Sequence, residues 1–133
     1  MENPQAYPDL YVRFLIYFNM DRDYFECHEV MEELWLEEGR DPFYQGMLQV
    51  AVGLFHFRRK NIEGAKKLFA SALSRLEPYP DRFMGIDLGR LRQEVKVYLE
   101  RLRNYETNPF PYYDLNIAIV DGDLRKRIKK GGA

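Results

Sequence analysis

Cysteine is nearly absent. One thiol, Cys27, in 133 residues leaves no partner for an internal disulfide, so nothing asks for an oxidising compartment. Long hydrophobic runs are missing too. None reaches the roughly 18 residues of a membrane span, and the opening MENPQAYPDL lacks the basic-then-apolar layout of a signal peptide. A soluble cytoplasmic protein with no membrane partner is expected. Net charge is equally scarce: 20 Lys and Arg against 21 Asp and Glu leave −1, which offers no field to nucleic acid or anionic lipid. There is no Gly-rich phosphate loop, nucleophile elbow or cofactor fingerprint. No tandem repeat is found either.

What is present is a core. At 46% apolar and 15% aromatic residues, the chain is too hydrophobic for disorder. Its length suits one helical domain over residues 1–133. The pattern is all-α, a compact multihelical bundle of about five helices. The first runs over 9–19, after Pro8. The second covers about 22–38, with Asp23 and Glu26 at capping-box spacing and Gly39 as a left-handed stop. Asp41-Pro42 opens a third, to about Lys60. Asn61 caps a fourth, which PYP closes at 78–80. A fifth runs over 87–105. Residues 12–105 form the core, and 106–133 are an extended tail that wraps it. Within that tail NIAIV reads as one short strand, and PYYD at 111–114 offers exposed tyrosines to a partner. The basic run RKRIKK reads as a frayed, solvated end.

The chain has only two histidines, and both lie on helix faces that look inward. On the second helix His28, Glu29 and Glu32 cluster at the edge of the core stripe, with Tyr24, Met31 and Trp35 beside them. On the third, Gln49, Val52, Gly53 and His56 share a face, and a mid-helix Gly53 implies close approach of another helix. If the two helices face each other, these groups could converge. Two imidazoles and two carboxylates suit one divalent metal, Zn²⁺, Fe²⁺ or Mn²⁺. His28, Glu32 and His56 would be the ligands. Glu29 would be the general base and Gln49 would orient water. H-E-x-x-E is one substitution from the helical zinc-hydrolase pattern. The plainer alternative is a His–Glu pair buried in the core, which holds two helices in register. Residues 46–78 also have nearly the spacing of one tetratricopeptide hairpin, with Gln49 and His56 in place of its large aromatics. That favours a non-enzymatic binding or scaffold module, which would take a small molecule or a protein segment.

Asn19, YFECHEVMEELW at 24–35, Tyr44-Gln45-Gly46, Gln49, His56, Arg59, Asn61, Gly64-Ala65, LEPY at 76–79 and Gly85-Ile86-Asp87 together resemble the bacterial and archaeal family called domain of unknown function 309. The resemblance covers about residues 12–100. It implies a compact all-α bundle, and the family's occasional label of metal-dependent hydrolase. It also marks Glu26, Trp35 and Asn61 as ligand-binding positions beside His28, Glu29, Glu32, Gln49 and His56. A homodimer is the default expectation.

Overall fold

The computed structural model describes residues 7–131. Six α-helices lie among them. α1, Asp9–Ile16, buries Tyr11, Phe14 and Leu15 completely. It passes into a π-helical turn, Tyr17–Asp21, which ends on Arg22 in the left-handed region at φ 54°. α2 is Tyr24–Glu37. Asp23 Oδ1 accepts the Glu26 N–H at 3.0 Å, but Asp23's own N–H goes to Tyr17 O. The capping box is therefore half made. Gly39 stops the helix at φ 68°. Asp41 accepts the Phe43 N–H at 2.9 Å and opens α3, Pro42–Arg58. Asn61 caps α4, Ile62–Leu76.

Next comes a minimal hairpin, which the sequence reading lacked. β1, Arg82–Phe83, pairs antiparallel with β2, Ile86–Asp87, Phe83 lying opposite Ile86. Met84 and Gly85 make the turn with positive φ. Asp87 then caps α5, Leu88–Arg103, through the Arg90 N–H.

α2, α3 and α4 form a run of antiparallel neighbours with α3 in the middle. α2 and α4 both pack on it, α1 packs on α2, and α5 packs on α4. Two glycines bring α3 and α4 close. A Cβ on Gly46 would lie 2.7 Å from Leu76, and one on Gly53 would lie 2.7 Å from Phe69. Phe57, Phe69, Tyr98, Phe110 and Tyr113 form an aromatic cluster with this layer, its rings edge-on or tilted except for the stacked pair Tyr98–Tyr113. Cys27 is a fully buried core residue whose Sγ faces Phe14 O.

The tail differs from expectation in three ways. NIAIV forms no strand. It holds one bridge, Ile86 with Ile119, and otherwise runs extended, because side chains satisfy much of its backbone. Asn19 exchanges two 2.8 Å hydrogen bonds with Ile117, and Arg22 donates to Leu115 O. PYYD is not a free surface. Tyr24 and Tyr112 both donate to Asp114 Oδ1 at 2.7 Å, and Tyr113 stacks on Tyr98 at 4.2 Å. Its aromatic rings find partners inside the chain. RKRIKK is not frayed either: it belongs to α6, Gly122–Gly131. Leu124 and Ile128, four apart, give that helix a buried stripe against α1. Arg127 reaches Tyr7 O and Asp9, each at 2.6 Å.

Candidate functional site

Seven residues are close to two helical turns, so residues seven apart form a line along one face. His28 and Trp35 form such a line on α2, Gln49 and His56 on α3, and Asn61, Leu68 and Arg75 on α4. On α4 the buried side is Ala65, Phe69, Ala72 and Leu76, while Ala70, Leu73 and Glu77 line a cavity against α5. The Asn61–Arg75 line is the remaining side. On α3, Gln49, Val52 and His56 are half-buried, between the glycine contact with α4 and the side nearer α2. The three lines thus share the open face of the α2–α3–α4 layer. The antiparallel order gives that face two ends.

At one end are the histidines. His28 Nδ1 is 3.2 Å from Glu29 Oε1 and Nε2 is 3.3 Å from Glu32 Oε2. The expected trio is together, but it is not buried: His28 is 37% exposed, and both carboxylates are more open still. Both partners also come from the ring's own helix. The ring therefore pins nothing across to α3, and the buried register pin is corrected to a surface cluster.

His56 has a partner that sequence spacing did not suggest. Asn61 Oδ1 accepts the Gly64 N–H at 3.0 Å as the α4 cap. Its amide nitrogen is thereby turned to His56 Nδ1 at 3.2 Å. The amide donates, so Nδ1 accepts and the neutral ring carries its proton on Nε2. Gly64 leaves room for this arrangement, since a Cβ there would lie 2.5 Å from Asn61 Nδ2. Glu26 is not brought in. Two residues before His28, it sits about 200° round the helix.

At the other end are Trp35 and Gln49. Both are half-buried, yet Trp35 Nε1 and Gln49 Oε1 are shielded from solvent and make no hydrogen bond. Arg75 Nε is in the same position. Arg40 lies over the Trp35 ring, 5.1 Å from its centroid. Arg75 was missed by the sequence reading, although the seven-residue step 61–68–75 was there to find it. Among the described residues no group of three or more His, Cys, Asp and Glu side chains is placed to hold a metal ion.

Comparison with known proteins shows the family. The family model described as "Domain of unknown function (DUF309)" matches residues 11–68, the span that carries α1 to α4 up to Leu68. An uncharacterized protein, YpuF, of Bacillus subtilis (strain 168) is 39% identical over 116 residues, covering 81% of this chain and 67% of that protein. The chain belongs to the DUF309 family. An uncharacterized protein of Aquifex aeolicus (strain VF5) is 31% identical over 83 residues, 60% of this chain and 24% of its own length. No solved structure matches. No helix of the described residues is long and apolar enough to cross a membrane.

Proposed function

We propose that this DUF309 chain is a helical binding module whose ligand lies on the open face of α2, α3 and α4. The observation that carries the reading is the pair Trp35 Nε1 and Gln49 Oε1, one donor and one acceptor, both shielded and both without a protein partner. A polar group in that state costs about 1–3 kcal/mol. Native proteins retain few of them, so each calls for a partner. Support also comes from the Aquifex relative, where the similar region is 24% of the protein, as a unit serving a larger chain would be. Trp35 is the single tryptophan, so its emission reports directly on the face. A metabolite and peptide library read by that emission should yield saturable ligands that Gln49→Leu loses. Ligands indifferent to Gln49→Leu would place the site elsewhere.

A second reading is a metal-dependent hydrolase with Zn, Fe or Mn. The observation favouring it is the 3.3 Å between His28 Nε2 and Glu32 Oε2. That matches the edge of a tetrahedron, about 3.3 Å for bonds of about 2.0–2.1 Å. These residues supply two ligands and no third. His56, the natural third, accepts from Asn61 on Nδ1 and carries its proton on Nε2. The donor set therefore fits a metal only in part, and no reaction step is drawn through one. The deciding measurement is the metal content of tag-free protein beside His28→Ala. About one metal per chain, absent from the variant, would install this reading. Equal and negligible metal in both would remove it.

A further inference from the structure

The Trp35 end of the open face has a definite chemistry. Three shielded polar atoms without protein partners occur among the described residues, and all three lie on this face: Trp35 Nε1, Gln49 Oε1 and Arg75 Nε. They stand near one level. A Cβ on Gly46 would be 3.4 Å from the Arg75 Cβ, and Gln49 is one turn further along α3. α2 ends at Glu37 and α3 begins at Pro42. Trp35, two residues before the end of α2, is therefore within about a turn of the level of Gly46, four residues into α3.

Arg75 differs from the arginines that tie the fold together. Arg22, Arg58, Arg92 and Arg127 all donate to carbonyls or carboxylates of the chain. Arg75 makes no hydrogen bond or ion pair with a described residue, although its Nε is buried. A guanidinium N–H shielded from water without an acceptor is costly. Asp41 Oδ1 accepts from the Phe43 N–H and from Tyr79 OH at 3.2 Å, and no ion pair joins that carboxylate to Arg75.

We infer that Trp35, Gln49 and Arg75 form a subsite for a carboxylate with an adjacent N–H. Such a group ends an N-acylated amino acid or the C-terminal residue of a peptide. The inference rests on the binding-face reading and names its ligand class. The guanidinium fork and the indole N–H are donors matched to a planar carboxylate. Gln49 Oε1 is an acceptor and takes the N–H. A phosphate dianion fits less well, because it would bring a second charge against that carbonyl oxygen and offer it no donor. Val52 and Leu68, half-buried between the two ends, suit an apolar side chain on the ligand.

The test follows the Trp35 emission and its indole N–H resonance during titration with N-acetyl-leucine, N-acetyl-leucinamide, acetyl-Ala-Ala-Leu and acetate. Arg75→Gln and Gln49→Leu are run beside wild type, with circular dichroism to show that they fold. Expected is a saturable response to the free carboxylates, weakened at least about tenfold by the amide cap or by Arg75→Gln, the loss of one charge-assisted hydrogen bond. Tighter binding of the tripeptide would assign the group to a peptide end, and equal binding to a small acylated amino acid. Acetate matching N-acetyl-leucine would overturn the role of the N–H. Equal responses to acid and amide, lost in Gln49→Leu, would overturn the carboxylate and keep the binding face. No response at Trp35 to any of the four probes would overturn the carboxylate subsite, while the binding face stands or falls by the library screen.

Discussion

Replacing Gly53 by Ala sets two effects against each other. In an open helix the exchange stabilises by about 1 kcal/mol, because Ala has the better helix propensity. At Gly53 the added methyl would sit 2.7 Å from Phe69 Cε1 and 2.8 Å from Cδ1. Non-bonded carbons prefer about 3.5–4.0 Å. Phe69 is fully buried, with its ring 5.2 Å from that of Tyr98, so it cannot turn out into solvent. Relief requires α3 and α4 to part by roughly an ångström, which loosens the contacts along their shared face. Overpacking of this kind costs about 1–3 kcal/mol. Subtracting the propensity gain leaves a net loss of about 1 kcal/mol and at most about 2. For a chain of this size that lowers Tm by about 3–5 °C per kcal/mol. Calorimetry and urea unfolding read it directly. Gly46→Ala is the internal control. Its methyl would meet Leu76 Cδ2 and Cγ at 2.7 Å, and a leucine tip moves more easily than a ring, so the loss should be smaller. A Gly53→Ala protein more stable than wild type by the roughly 1 kcal/mol of the open-helix exchange would refute the close helix contact.

Two further outcomes are expected. Burial works against the Asp114 charge, but the Tyr112 and Tyr24 hydroxyls and the Arg22 and Arg58 charges outweigh it and hold its carboxyl below the usual range. A depressed folded pKa contributes stability that is present above the unfolded value of about 4 and is lost as pH falls through the folded one. Wild type should therefore exceed Asp114→Asn in Tm at pH 7 and lose that advantage below about pH 4, and parallel curves would refute the tail clamp. Asn61→Asp keeps the α4 cap but has no N–H for His56. It should hold its Tm while the His56 tautomer balance changes in nitrogen NMR, whereas Asn61→Ala should also lose about 1 kcal/mol. An unchanged His56 in both variants would refute the Asn61 contact.

How much was legible depended on the range of the physics involved. The α2, α3 and α4 starts were readable because Asp23, Asp41 and Asn61 act on amides two or three residues away. The left-handed Gly39 was equally local. Gly53 could be read as a helix contact because its cost in isolation demanded one. The tail was opaque for the opposite reason. Tyr112, Tyr113 and Asp114 are bound by Tyr24, Tyr98 and Arg22, partners that no local pattern announces. α6 was hidden by its own charge: Leu124 and Ile128 are a thin stripe within a basic run. The π-helical turn at Tyr17–Asp21 carries no sequence signal that separates it from continued α-helix.

The candidate site divides in the same way. Helical spacing correctly grouped His28 with Glu29 and Glu32, since all three lie within one turn of α2. Spacing alone could not say where the partners of a ring come from. Carboxylates reaching His28 from α3 would have made it a pin between helices. Carboxylates from its own helix leave His28 with no link to α3 at that end of the face. His56 is similar: its hydrogen bond is to Asn61, five residues on at the start of α4. Neither histidine hydrogen-bonds across to the helix of the other. The groups without partners are Trp35, Gln49 and Arg75, one from each helix, at the far end from the histidines. Unmet hydrogen-bonding capacity is what a ligand can use. A histidine already satisfied by its neighbours has less to offer it, so the search for a ligand starts at Trp35.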